Sequence, residues 1–155
     1  MRDRKKVLQP LKVVSPLHKA MRQMSLHLGE RVREQGLEGA EGHLLAYVAA
    51  YGPARIAELR KVFGHKPSTL TGLLDRLERA GWIGRSVDPL DRRGFLIEAT
   101  SAGARVGEQA RRVVEEFEET LLAQVRKKDL EGFERVLDAL AEVTQIQLRG
   151  GEDDE

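Results

Sequence analysis

The side chains best suited to a recognition chemistry stand between Lys66 and Gly103, and what they suit is ion pairing and hydrogen bonding. Over residues 67–79, Leu70, Leu73, Leu74 and Leu77 recur at i, i+3, i+4 and i+7, which predicts a helix with one buried apolar face. At about 100° per residue the opposite face carries Ser68, Gly72, Asp75, Arg76 and Arg79, with Thr69 and Thr71 on its flanks. Small residues let such a face enter a DNA major groove, and arginines reach phosphates or guanine edges. Ser68, Thr69, Thr71, Gly72 and Arg76 are therefore the candidate groove contacts, with Lys66 and Arg79 as phosphate contacts. Downstream, the β-prone runs Trp82 to Val87 and Phe95 to Ala99 flank a turn-rich stretch containing Asp91, Arg92 and Arg93. A hairpin tipped with arginines fits a narrow minor groove, where negative potential is concentrated. The alternative, arginines that merely solvate a turn, suits an isolated hairpin better than one beside such a helix.

Other chemistries find little support. No nucleophile–base pair, phosphate-cradling glycine loop or paired catalytic carboxylates stands out, so no catalytic residue, cofactor or enzymatic activity is expected. Cysteine is absent, which excludes disulfides and thiolate metal sites. Of the histidines His18, His27, His43 and His65, the first two lie nine residues apart, so they lack the i, i+4 spacing that chelation on a helix requires; no metal site is expected.

The elements that must position these residues follow from capping and periodicity. Ser15-Pro16 reads as a helix start, with Leu17, Met21, Met24 and Leu28 at helical spacing to about Gln35. A second helix is predicted from about Ala40 to Tyr51, burying Leu44, Leu45 and Val48 and ended by Gly52-Pro53. A third spans Ala54 to Phe63, and the turn Gly64-His65-Lys66 leads into the helix opened by Pro67 and closed by Gly81. Two short helices joined by a glycine-containing turn, with a hairpin directly after, make a winged helix-turn-helix pattern. Ser101 is predicted to cap a long helix to about Lys127, with Val106, Ala110, Val113, Phe117, Leu121 and Val125 on one stripe. Asp129 is predicted to open a last helix in which Phe133, Val136, Leu137, Leu140, Val143 and Ile146 are apolar.

Length and composition bound the whole. The 155 residues, 41% hydrophobic and 33% charged, suit one domain or one intertwined unit of a dimer, and aromatics at 5% leave a core built from Leu, Val, Ile and Ala. The net charge of +1 conceals a polarised chain: nine basic against five acidic residues lie between Arg55 and Arg93, while Glu152 to Glu155 are all acidic. The longest apolar run, Leu44 to Tyr51, is far below the ~20 residues of a membrane span, and the N-terminus lacks a signal-peptide apolar region, so a cytoplasmic location without membrane contact is expected.

The run Asp91-x-Arg93, five residues, Ala99-Thr100, two residues, Gly103 resembles the wing signature of the MarR family of winged helix-turn-helix regulators, which usually places leucine where Ala99 stands. Upstream, GPARIAELRKVFGHKPSTLTGLLDRLERAGWIGRSVDPLDRRG is similar to the family order without a gap, and the resemblance extends over roughly residues 15 to 148. It implies a mainly α fold with a small β-hairpin wing, Arg93 in the minor groove, Asp91 holding its guanidinium and Arg92 beside it. It also implies a small-molecule pocket between the DNA-binding lobe and the dimer helices, often for aromatic or phenolic anions. By position, Met24, His27, His43, Tyr47 and Trp82 are its candidate walls, and each equally suits plain core packing.

The expected organisation is a basic N-terminal arm over 1–14 and a MarR-type domain over 15–149, followed by an acidic, disordered tail over 150–155. Within the domain, 40–100 would form the DNA-binding lobe, and 15–36 with 101–149 would form dimerisation helices whose stripes the lobe cannot cover. A two-fold homodimer would then bind a pseudo-palindromic operator in double-stranded DNA as a transcriptional regulator, usually a repressor released by a ligand. The rival readings are a winged-helix protein–protein module that never meets DNA, and a monomeric bundle folded back on its own lobe.

Overall fold

The chain runs α1 (Val14–Arg33), α2 (Gly39–Tyr51), β1 (Ala54–Arg55), α3 (Ile56–Phe63), α4 (Pro67–Arg79), β2 (Ile83–Val87), β3 (Phe95–Ala99), α5 (Ser101–Leu122) and α6 (Lys127–Thr144). This is a computed structural model describing residues 11–91 and 94–146. Residues 1–10 of the arm expected over 1–14, the wing residues Arg92 and Arg93, and residues 147–155 with the acidic tail lie outside the described residues, while Val14 at the arm's end already belongs to α1. The strands form one antiparallel sheet in the order β1-β3-β2, and the architecture is a mainly helical winged helix-turn-helix.

The core sits where α1, α2, α4 and α5 meet the sheet. Leu44, Leu45 and Val48 of α2 are buried with Leu70, Leu73, Leu74 and Leu77 of α4, closed over by Leu59, Ile83 and Ile97. The four α4 leucines are the i, i+3, i+4, i+7 set that the sequence predicts, all turned inward. Two glycines let α5 come close. A Cβ on Gly107 would stand 2.7 Å from the Ala49 Cβ and 2.8 Å from the Leu45 carbonyl oxygen, and one on Gly103 would collide with the Trp82 backbone. Helix α5 can therefore lie directly on α2 and on the root of the wing.

Several boundaries differ from the sequence reading. Val13, not Ser15, is the N-cap of α1 and makes no side-chain cap bond; Ser15 falls inside the first turn. Ala54 and Arg55 do not start α3 but pair with Ile97 and Leu96 as a third strand. Two residues are too few to show an alternation, and pairing to the wing supplies the strand. Thr100, not Ser101, caps α5. Its hydroxyl accepts the Gly103 N–H at 3.0 Å and donates to the Gly81 carbonyl at 2.7 Å, tying the end of α4 to the start of α5. Helix α5 ends at Leu122 rather than near Lys127, and α6 opens at Lys127, with Asp129 accepting the Arg126 N–H at 3.2 Å from inside its first turn.

Candidate nucleic-acid interface

Helix α4 carries the candidate groove contacts. Pro67 occupies its first turn, and Gly81, at φ +75°, turns the chain away after it. Lys66, Ser68, Thr69, Thr71, Arg76 and Arg79 are exposed, and Gly72 is half-buried among them. The Thr71 hydroxyl donates back to the Pro67 carbonyl at 2.9 Å, so toward a ligand it acts as an acceptor. Arg79 donates from Nε to the Asp75 carbonyl at 3.3 Å.

Arg76 is committed differently. Its Nε donates to Glu41 of α2, a carboxylate only 6% exposed, whose second oxygen accepts the Glu38 N–H at 2.9 Å. Its Nη1 would lie 3.6 Å from a Cβ at position 72, so the guanidinium extends over Gly72. A buried carboxylate needs its partner, which makes Arg76 a brace between α2 and α4. As a freely probing groove contact it is restricted to whatever its remaining N–H groups reach. The helical wheel placed Arg76 correctly on the outer face of α4, but it carries no information about a partner 35 residues upstream.

The wing is β2 and β3, paired from Ile83↔Ala99 to Val87↔Phe95. Its tip loop is pinned by a second brace: Arg55 Nε donates to Asp88, and Asp88 is 1% exposed. Asp88 also accepts the Leu90 N–H at 2.8 Å and its own N–H donates to the Gly94 carbonyl at 3.0 Å, closing the tip. The Arg55 hydrogen bond, then the Leu90 N–H, hold the Asp88 carboxyl below the ordinary carboxylate range. A third brace joins wing to recognition helix, with Arg85 donating to Asp75 at 2.5 Å and standing 3.4 Å from Glu78. Arg85 and Asp88 were not among the candidate site residues, because each is recruited by a partner on another element. Only the Asp-Pro turn signal at Asp88 was readable locally. Asp91 is exposed at the tip, and its expected pairing with Arg93 lies outside the described residues.

An open cleft of about 640 Å³ lies between α2, α3 and α5. It takes in His43 and Tyr47 of the candidate pocket residues but not Met24, His27 or Trp82. Met24 is exposed on α1, His27 lies against Phe117 with ring centroids 5.5 Å apart, and Trp82 packs against the core. Tyr47, Tyr51 and Phe63 form the aromatic wall, with Tyr47 at 5.0 Å from Tyr51 and edge-on to Phe63 at 5.5 Å. The Tyr47 hydroxyl donates to Glu58 at 3.1 Å. Desolvation lowers the His43 pKa below 6.5, and nearby His65 lowers it further, so the ring is neutral at neutral pH. Among the described residues no group of three His, Asp or Glu is arranged to hold a metal, and no helix is long and apolar enough to cross a membrane.

A helix-turn-helix whose second helix shows a polar face beside a braced hairpin defines a winged-helix protein. Residues 37–95 match the MarR family model, and this winged helix-turn-helix segment is a MarR-family unit. The multiple antibiotic resistance protein MarR of Escherichia coli is 32% identical over 87 residues, which span 56% of this chain and 60% of that protein. The match to its Salmonella typhimurium counterpart spans 46% of that protein, so the chain aligns with about half the length of these relatives. Among solved structures, a variant E. coli MarR complexed with operator DNA has a TM-score of 0.72 at 25% identity, covering 81% of this chain and 91% of that one. The Staphylococcus aureus MepR–DNA complex has a TM-score of 0.79 at 22% identity, covering 86% and 99%, a likeness of fold.

Proposed function

We propose that this protein is a dimeric, sequence-specific DNA-binding transcriptional regulator of the MarR type, working in the cytoplasm without catalysing a reaction. The observation that carries the reading is the outer face of α4. Its leucines are buried while Lys66, Ser68, Thr69, Thr71 and Arg79 remain exposed beside the wing. That a variant E. coli MarR of similar fold is complexed with operator DNA supports DNA as the partner. In this reading the N-terminal half of α4 enters the major groove, Lys66 and Arg79 meet phosphates, and Arg92 and Arg93 enter the adjacent minor groove with Asp91 orienting Arg93.

The second copy is needed because the terminal helices are unfinished. Helix α6 buries none of its residues, and Leu130, Phe133, Leu137 and Leu140 lie exposed at alternating spacings of three and four. The same helices of a partner would cover this stripe and set two copies of α4 about one DNA turn apart, matching a pseudo-palindromic operator. By occupying a promoter such a dimer represses. An effector in the cleft would release DNA only by favouring a dimer with mis-spaced recognition helices.

The test is selection of bound duplexes from random DNA, followed by fluorescence anisotropy across a salt series. With six to ten phosphate contacts per dimer, affinity is expected to fall about 10³–10⁵-fold between 50 and 200 mM salt. A protein that enriches no sequence, and binds duplex DNA no better than a neutral control, would be a protein-docking winged helix instead.

A further inference from the structure

The charges around the cleft select the kind of molecule it takes. Arg111, Val114, Glu115 and Glu118 follow one another at i, i+3, i+4 and i+7, so one face of α5 lines it, with Glu119 beside them. Arg111 is the single guanidinium on the lining, and its Nε already donates to Glu115 at 2.6 Å. Glu118 and Glu119 have no ion-pair partner among the described residues. Neutral His43 adds no positive charge. An anion entering here meets two unpaired like charges and no free cation, whereas a cation meets two carboxylates opposite three aromatic rings.

We propose that the cleft binds a small organic cation, a hydrophobic or aromatic amine, quaternary ammonium or phosphonium, in preference to an aromatic anion. Tyr47, Tyr51 and Phe63 supply apolar walls and ring faces or edges, and Glu118 and Glu119 supply the charge on the α5 side of the lining. The volume is that of an ordinary drug-sized site. This departs from the phenolic or aromatic anion that the family resemblance implies, and the departure comes from this chain's own α5 residues. It rests on the regulator reading for its consequence, release of DNA, but not for binding itself.

Tetraphenylphosphonium and tetraphenylborate match in shape and differ in sign, so titration calorimetry of the full chain with each, without DNA, isolates the charge preference. The phosphonium is expected to bind more tightly, with the margin shrinking as salt rises. The double variant Glu118→Gln/Glu119→Gln changes only exposed side chains. It should keep its melting temperature and DNA affinity while weakening the phosphonium on the order of three- to tenfold. Equal or tighter binding of the borate, or an unchanged preference in the double variant, overturns the assignment. A control, Glu131→Gln/Glu134→Gln on α6, removes the same charge away from the cleft and should leave the preference intact; an equal loss there would reduce the effect to net charge and also overturn it. A chain that binds phosphonium but no DNA fails the regulator reading alone. A chain that binds operator DNA but not phosphonium fails this inference alone.

Discussion

The winged lobe and the terminal helices solve the burial problem in opposite ways. In the lobe, every leucine of α4 is buried, and braces from Arg55 to Asp88, Arg76 to Glu41 and Arg85 to Asp75 cross between elements. In α6, the leucines and Phe133 are as regularly spaced, yet none is covered, and Val143 is 82% exposed. Equal periodicity with unequal burial separates two uses of an amphipathic helix: one completes a core within the chain, the other leaves an apolar surface that the proposed second copy would cover.

The harshest way to break that contrast is to charge the α6 stripe. Phe133→Asp with Leu137→Asp should turn a dimer into a monomer by sedimentation, since each apolar side chain buried in an interface contributes about 1.5–3 kcal/mol and the aspartates add desolvation cost. Operator affinity should then fall by orders of magnitude, because two half-sites no longer act together. Trp82 lies in the lobe, so retention of its near-ultraviolet signal would mark the lobe as an independently folded unit. Loss of that signal with the dimer would mean that the two regions form one cooperative whole.

Arg93→Ala removes the proposed minor-groove contact and should leave both dimer and melting temperature alone. Operator affinity should drop by about 1–3 kcal/mol per half-site, with a shallower salt dependence, in an anisotropy titration. Unchanged affinity would remove the wing from the interface while leaving α4 in place.

A smaller effect separates the two possible roles of Arg76. If it braces α2 against α4, Glu41→Ala and Arg76→Ala should each lower stability by about 1–3 kcal/mol in urea unfolding. The double variant should then cost less than their sum. If Arg76 chiefly reads a base, Arg76→Ala should instead relax sequence preference at one operator position, with Glu41→Ala leaving that position alone. Partners of this kind also mark the limit of what the sequence shows. The α4 wheel, the Gly81 stop and the β2–β3 hairpin are legible because their signals are local: a 3.6-residue period, a residue that tolerates φ +75°, two β-prone runs around a turn. Arg55 with Asp88 and Arg76 with Glu41 are 33 and 35 residues apart, and no local preference announces them. Strand β1 fails for the same reason, since its two residues become a strand only by pairing with β3. Of the residues lining the cleft, His43 and Tyr47 were named as positional candidates, whereas Arg111, Glu115, Glu118 and Glu119 were not, because a cleft wall made by a second helix requires the packing of α5 on α2.

The mildest expected effect is on pH, and it separates cleft from wing by where each titrates. The folded-state pKa of His43 lies below its free value of 6.5, because desolvation and then His65 disfavour the imidazolium. The unfolded chain therefore takes up this proton first on acidification, so the contribution is fully present above pH 6.5 and is lost as pH falls through the lower folded value. Asp88 behaves likewise in a lower window. Its folded value lies below 3.8, because Arg55 and the Leu90 N–H hold the charged form, so its contribution persists above 3.8 and is lost as pH falls further. Melting temperature against pH should therefore show two separate declines. His43→Gln should remove the upper one only; Asp88→Asn should shrink the lower one, which Asp129 shares because its Arg126 hydrogen bond also lowers its pKa, and should lower the plateau by weakening the Arg55 brace. If His43→Gln leaves the upper decline intact, His43 is not its source, and burial does not lower its pKa as assigned.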